Sequence, residues 1–180
     1  MRKLLLLLAL CLAPPLHAAD DYREIKWEAL VPKDWDPAKD LKALDLGKLQ
    51  DSDPRAMEAL EKMKALWDAA PTVPTMAGAK VRLPGFAIPL ENKDGKVSEF
   101  ILVPYFGACI HSPPPPANQI IHVVAKKPVS KLNSMDTVWV SGTMSLQYAN
   151  TPWGSAGYRL ALERMENFNP APPAGDKRKR

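Results

Sequence analysis

The sequence predicts a mainly β fold with an N-terminal helix, an α+β arrangement whose β part is a small OB-like barrel or a strongly curled antiparallel sheet. A helical pattern comes before residue 79, and five short apolar runs follow it. The first of these runs contains Pro84, Gly85 and Pro89, and Asp94-Gly95 then marks a hairpin turn. A bent first strand and one tight hairpin are typical of a small barrel, and closure removes sheet edges that would otherwise aggregate.

The predicted helix begins at Asp53 and Pro54, because aspartate caps a helix N-terminus and proline suits its first turn. It ends at Ala69-Ala70-Pro71. Glu58 and Lys62 are spaced to pair across one turn of its outer face. Apolar residues recur at helical spacing and are expected to face the core rather than to bind copper: Met57, Leu60, Met63 and Trp67.

The five predicted strands cover residues 80–90, 97–103, 120–124, 136–147 and 158–168. Since proline has no N–H donor, the first strand is expected at a sheet edge or with a bend at Gly85. In the fourth strand, Val138 and Val140 share one face and Trp139 takes the other. The fifth run alternates only in part, so a helix is an alternative there.

Both ends of the chain are predicted to lie outside the fold. Residues 1–18 combine Arg2 and Lys3 with an apolar run and a small residue, Ala18, after which a signal peptide is expected to be cleaved. Residues 19–78 then form an arm and the helix, residues 79–169 the β domain, and residues 170–180 a disordered basic tail. The apolar run is too short to span a membrane, so a periplasmic or secreted protein with no transmembrane segment in the mature chain is expected.

Cysteine and charge limit the classes of function. Cys11 allows a lipoprotein interpretation, which is disfavoured because Leu10 stands where a small residue is required. Once residues 1–18 are removed, Cys109 is the one cysteine left, so no internal disulfide is expected. The formal net charge is +4, but much of the basic character lies at the two ends of the chain. The near-neutral remainder lacks a basic–aromatic platform, so nucleic acid is not an expected partner.

Residues 103–119, VPYFGACIHSPPPPANQ, form the most unusual segment of the sequence. On an extended strand, Cys109 and His111 would leave the same face, about 7 Å apart. The prolines at 113–116 lack N–H donors, so a stiff polyproline II segment is expected to end the strand. Asn118-Gln119 are expected to donate amide N–H groups to carbonyls that the prolines leave unpaired.

Three interpretations of this segment stay open. In the first, Cys109 is an ordinary packed residue and His111 is merely hydrogen-bonded. In the second, the pair binds copper(I) or zinc with His122 as a third ligand, and carboxylates complete the site: Glu91, Glu99 and Asp136 are the candidates. In the third, Cys109 is a nucleophile or redox thiol, which requires a lowered pKa and an oriented base. The sequence contains no zinc-type ligand spacing, CxxC pair or phosphate loop.

Four stretches of the sequence are distinctive together: residues 85–91 (GFAIPLE), residues 104–111 (PYFGACIH) with the prolines and Asn118-Gln119, residues 140–142 (VSG), and Tyr158 after a glycine-rich loop. They resemble the exported bacterial family catalogued as domain of unknown function 3299. The resemblance covers residues 22–168, which is essentially one domain. It implies no activity, but it implies an accessory role beside permease-type transporters, in some cases with metal-handling proteins.

These observations predict an exported periplasmic binding or accessory protein that binds a transition metal through Cys109, His111 and His122 and works with a membrane transporter. The alternative is a non-catalytic envelope adaptor that uses the proline run for contact with another protein. A thiol enzyme is the third and least favoured prediction.

Overall fold

The computed structural model describes residues 22–36, 54–110 and 114–168, together with Lys39. Several predictions fall outside these residues: the signal peptide at 1–18, the helix cap at Asp53, the histidine His111 and the basic tail at 170–180. The described part forms one helix of α type and eight strands. The helix α1 is Pro54–Asp68, and the strands are β1 Arg23–Glu24, β2 Lys80–Pro89, β3 Lys96–Val103, β4 Ile121–Ser130, β5 Asp136–Ser145, β6 Ala149–Thr151, β7 Gly154–Ala156 and β8 Tyr158–Asn167.

Five of these strands close into a barrel. The order is β2-β3-β4-β8-β5, and β5 pairs back onto β2. β4 and β8 run parallel, whereas the other neighbouring pairs of the barrel are antiparallel. The predicted fold class, a mainly β α+β protein with a small OB-like barrel, is confirmed. The last apolar run forms the strand β8 and not the alternative helix.

β2 has partners on both of its sides, so the expectation of an edge strand is wrong. On one side it pairs with β5, and on the other with β1 near its start and β3 near its end. Pro84 lies in the gap between β1 and β3, where the indole N–H of Trp27 donates to the Pro84 carbonyl at 2.7 Å. The nitrogen and carbonyl of one strand residue point the same way, so the missing N–H of Pro84 faces this gap and leaves no ladder bond unmade.

Two glycines occupy positions in the barrel that disfavour other residues, one in a hairpin turn and one at a bulge. Asp94 and Gly95 both have positive φ, 54° and 74°, as a tight hairpin turn requires, and this confirms the predicted hairpin. At Gly142, the register of β5 against β8 shifts by a bulge. A Cβ on Gly142 would lie 2.2 Å from the carbonyl oxygen of Ala161, so the two strands approach too closely there for any larger residue.

Tyr158 connects the barrel interior to the segments that precede it. Its side chain is fully buried in the interior cluster. Its hydroxyl donates to the carbonyl of Leu30 at 2.8 Å and accepts from the backbone N–H of Val73 at 2.6 Å. Leu30 belongs to a short 3-10 helix of the N-terminal arm, and Val73 follows α1. One hydroxyl therefore fixes the arm and the exit of α1 to the barrel.

Helix α1 occupies the predicted residues, and Glu58 and Lys62 form the expected ion pair at 2.7 Å. The prediction that its apolar stripe faces the core fails for two of its four residues: Met57 is 59% exposed and Leu60 49% exposed, whereas Met63 and Trp67 are partly buried. Ala59 is the buried residue of the helix. Periodicity shows which residues share a face, but not whether another element covers that face. Among the described residues, no helix is long and apolar enough to cross a membrane.

Candidate binding site around the proline run

Cys109 lies in a turn and not on a strand. β3 ends at Val103, and turns follow in which Gly107 has φ 82° and Cys109 has φ 65°. The prediction that Cys109 leaves an extended strand beside His111 is therefore wrong in its geometry, because the chain leaves the sheet well before the cysteine. His111 itself lies outside the described residues.

Cys109 packs against a second apolar cluster, on the outer face of the barrel wall. The residues of this cluster alternate along β2 and β3 with those that fill the interior. Burial raises the pKa of the Cys109 thiol to about 11. The thiol is therefore protonated at neutral pH, which makes it a poor nucleophile. The cluster consists of Ile88, Ile101, Val103, Ala108, Ile120 and Ala156.

His122 lies on the same outer wall of the barrel. Its Nε2 atom is 2.8 Å from Oε2 of Glu99, and the imidazole is largely buried. Its cross-strand partner is Ile101, which belongs to the cluster that packs against Cys109. A carboxylate that holds one imidazole nitrogen leaves the other free to bind a metal, which is the usual arrangement behind a metal-ligating histidine.

The other two candidate carboxylates have different partners. Glu91 pairs with Lys93 at 3.2 Å, and Asp136 accepts a hydrogen bond from the backbone N–H of Asn133 at 2.8 Å. Within residues 22–36, 54–110 and 114–168, no three His, Cys, Asp or Glu side chains are grouped so that they could hold a metal ion. The combination of Cys109, His111 and His122 stays a prediction, because one of its members is not described.

The proline run is packed between the barrel and its outer elements. Pro115 is buried, whereas Pro114 and Pro116 are partly buried. A Cβ on Gly154 would lie 2.8 Å from the Cβ of Pro114, so the β6–β7 hairpin presses directly on the run. A short 3-10 helix, Ala117–Gln119, then leads the chain into β4. The described prolines of the run, residues 114–116, thus lie along the outside of the barrel, and Pro115 is buried there.

Asn118 and Gln119 donate hydrogen bonds, but not to the prolines of the run. The amide of Asn118 donates to the carbonyl of Pro71 at 3.0 Å, and that of Gln119 to the carbonyl of Trp27 at 3.1 Å. The predicted donors are confirmed and the predicted acceptors are wrong. These two amides tie the proline segment to the N-terminal arm and to the exit of α1.

Two grooves flank the proline run. We call the first the aromatic–proline groove; it has a volume of about 440 Å³. The second lies between α1 and the β6–β7 hairpin and has a volume of about 570 Å³. Trp67 and Pro115 line both grooves, so they form the wall between them. The aromatic–proline groove is lined by Trp27, Glu28, Trp67, Pro104, Tyr105, Pro115, Pro116 and Gln119.

Two exposed aromatic side chains, Tyr105 in the lining of the groove and Phe106 next to it along the chain, form what we call the rim of the aromatic–proline groove. Tyr105 is 45% exposed and Phe106 is 67% exposed, and the ring of Phe106 meets the ring of Phe86 edge to face at 5.9 Å. Burial, and to a smaller extent the neighbouring Cys109, raises the pKa of Tyr105. Cys109 therefore lies close behind this rim.

Trp67 carries a buried indole N–H that has no hydrogen-bond partner in the described part of the chain. A buried donor without a partner costs about 1–3 kcal/mol. The indole lies in the wall between the two grooves, on the same helix as the exposed Met57 and Leu60. The indole N–H therefore needs an acceptor that the described residues do not supply.

Comparison with known proteins assigns the chain to a family. The model of the family described as "Protein of unknown function (DUF3299)" matches residues 27–167. The chain belongs to this family. The match begins at Trp27, after β1, and ends at Asn167, the last residue of β8, so it includes α1 and the five barrel strands.

A solved structure supports the assignment. The crystal structure of a DUF3299 family protein from Pseudomonas aeruginosa PAO1 is 33% identical in sequence, covers 82% of this chain and 97% of its own, and superposes with a TM-score of 0.63. A comparison with curated proteins found no match to the chain. The family resemblance stated from the distinctive motifs is confirmed.

Sequence reasoning missed the residues that shape the groove opposite the proline run. Trp27 and Trp67 come from the arm and from α1, far from residues 103–119 in sequence, and only the fold brings them together. The available signal was the pair Tyr105-Phe106 within residues 103–119, because loop residues carry binding functions more often than residues of regular elements do. The predicted site was centred on Cys109 and His111 and therefore did not include these aromatic residues.

Proposed function

We propose that this chain is an exported, non-catalytic binding protein that acts as an accessory to a partner in the cell envelope. The partner that we propose is a membrane transporter. The partner docks on the aromatic–proline groove and on the exposed rim formed by Tyr105 and Phe106. The observation that carries the proposal is the location of two grooves on either side of a rigid proline run, with exposed aromatic side chains at the rim of one of them.

The chemistry of this surface suits protein contact. Trp, Tyr and Phe side chains give large contact areas at a small cost in conformational entropy, and they dominate the energetics of many interfaces. The prolines add a surface that is already ordered, so little entropy is lost when a partner binds. The protonated Cys109 thiol lies behind this surface and supports a packing role more than a catalytic one.

Site-specific photocrosslinking tests the proposal. A photoreactive residue in place of Phe106 is expected to capture one defined envelope protein in intact cells. A matched probe in place of Lys126, which is exposed on β4 and does not line the groove, is expected not to capture it. Capture of the same protein from both positions, or from neither, would contradict docking at this surface.

A second candidate function, binding of copper(I) or zinc, is favoured by the pair of His122 and Glu99. The carboxylate is placed to orient the imidazole, and both lie on the wall against which Cys109 packs. His122 and Cys109, with His111, would be the ligands, since thiolate and imidazole suit these ions. Metal would displace the proton from the thiol despite its raised pKa.

Metal titration under reducing conditions tests this second candidate. The wild-type protein is expected to bind copper(I) or zinc near one to one, and Cys109→Ala is expected to abolish binding. Glu99→Gln is expected to weaken binding by about tenfold, because the carboxylate only orients the imidazole. Equal metal content in the wild type and Cys109→Ala would rule out this function and leave the docking surface unaffected.

A further inference from the structure

We propose that residues 169–180 of this same chain, NPAPPAGDKRKR, occupy the aromatic–proline groove and compete there with the partner. The competition rests on the proposed function, whereas occupancy of the groove does not. The proposal begins from the place where the described chain leaves off, which is Phe168, two strands away from the strand that carries Phe86.

The structure gives the path from Phe168 to the rim. The backbone N–H of Phe168 donates to the carbonyl of Thr137 at 2.9 Å. Thr137 is the cross-strand partner of Phe86, and the ring of Phe86 meets that of Phe106 at 5.9 Å. The backbone therefore crosses only two strand spacings, about 10 Å, between Phe168 and the strand that carries Phe86.

The path runs along the outer face of the barrel. The Phe168 ring contacts the ring of Trp139 at 5.8 Å. Trp139 shares its strand face with Thr137, since the two are separated by one residue. Thr137, Phe86 and Phe106 thus continue one outward-facing row that starts at Phe168. Tyr105, the next residue back along the chain from Phe106, lines the groove itself.

The segment is long enough to follow this path and fill the groove. In a polyproline II conformation, a chain advances about 3.1 Å per residue, so residues 169–180 would span about 37 Å. The two strand spacings use about a quarter of that length. The rest is available for the distance from Phe86 to Tyr105 and for the groove itself.

The chemistry of the segment matches the lining of the groove. Pro170, Pro172 and Pro173 give a segment that favours polyproline II, and such segments dock in grooves lined by aromatic rings. Trp27, Trp67 and Tyr105 supply those rings. The charges are also complementary. Glu28 is the charged residue of the groove lining, and residues 177–180 of the segment are all basic.

A peptide-binding experiment on the full chain tests the proposal. In the opened variant Pro170→Ser/Pro172→Ser/Pro173→Ser, the segment keeps its length and charge but loses its prolines. The probe is the synthetic peptide NPAPPAGDKRKR, followed by tryptophan fluorescence, because Trp27 and Trp67 line the groove. The opened variant is expected to bind the peptide saturably. The wild type is expected to bind it at least about tenfold more weakly, since a tethered segment acts at a high effective concentration.

Two controls make the result specific. The matched variant Ala171→Ser/Ala174→Ser/Gly175→Ser keeps the prolines and is expected to behave like the wild type. Adding Phe106→Ala or Tyr105→Ala to the opened variant is expected to weaken peptide binding, whereas adding Leu146→Ala, an exposed apolar residue that does not line the groove, is expected to leave it unchanged.

Three results would overturn the proposal. The first is equal peptide binding by the wild type and the opened variant, and the second is no binding by either. The third is a dimer of the wild type that dissociates in the opened variant, which would assign the segment to the groove of a second copy. Failure here is distinct from failure of the proposed function, because partner capture at position 106 is measured separately.

Discussion

The barrel is packed more tightly than the face that carries the proline run. Inside the barrel, large apolar side chains are fully buried, and Gly142 sits so close to the neighbouring strand that no Cβ fits. On the proline face, Leu60 and Phe106 are about half exposed or more, and the indole N–H of Trp67 has no partner in the described part of the chain. This difference is the reason why we propose the proline face, and not the barrel, as the surface that binds a partner.

A matched pair of leucine substitutions is expected to give the largest difference in stability between the two regions. Leu160→Ala, in the sealed barrel, is expected to lower the free energy of unfolding by about 2–5 kcal/mol, since it removes buried methyl groups and leaves a cavity. Leu60→Ala, on the exposed face of α1, is expected to change it by no more than about 0.5 kcal/mol. Urea denaturation of both variants measures the contrast. Equal losses would show that α1 is as tightly packed as the barrel.

Tyr158→Phe tests how the two regions are joined. Removing the hydroxyl deletes the hydrogen bond to Leu30 and leaves the backbone N–H of Val73 without its acceptor. We expect a loss of about 1–3 kcal/mol in the free energy of unfolding, because both groups lie in or near the core. Hydrogen exchange in α1 and in the N-terminal arm is expected to rise more than exchange in the barrel strands. Uniform exchange across the chain would contradict this role for the hydroxyl.

A last prediction concerns Cys109 and pH. The pKa of its thiol is raised by burial from 9.0 to about 11, so the thiolate is disfavoured in the folded state. The stability that this thiol contributes is complete below about pH 9 and is lost as the pH rises toward about 11. The difference in unfolding free energy between the wild type and Cys109→Ala is therefore expected to shrink over this range. Tyrosine hydroxyls titrate in the same pH range, but they are present in both proteins, so their contribution cancels in the difference. A difference in unfolding free energy that does not depend on pH would contradict the burial of the thiol.

Local patterns in the sequence predicted most of the fold. The strands follow from apolar runs, the hairpin from Asp94-Gly95, and α1 from its spacing and from Pro54. The position of β2 could not be predicted in the same way. A proline within a strand normally indicates an edge, and here Trp27, distant in sequence, supplies the hydrogen bond that makes Pro84 acceptable with partners on both sides.

The candidate site was predictable in its location but not in its shape. β3 ends at Val103, as the predicted strand does, but Gly107 and Cys109 then take up left-handed turn conformations, so Cys109 does not leave an extended strand. The groove forms only when the arm and α1 are brought against the run by Tyr158, Asn118 and Gln119. These contacts join residues far apart in sequence, and no local pattern carries them.

The most direct test of the central claim compares capture of the envelope partner by the wild type, Phe106→Ala and Leu146→Ala. Both substituted residues are exposed and apolar, but only Phe106 directly follows Tyr105, which lines the aromatic–proline groove. We expect Phe106→Ala to weaken binding by about tenfold or more, as for an aromatic residue central to an interface, and Leu146→Ala to leave it unchanged. Equal binding by all three proteins would contradict the assignment of the groove as the docking surface.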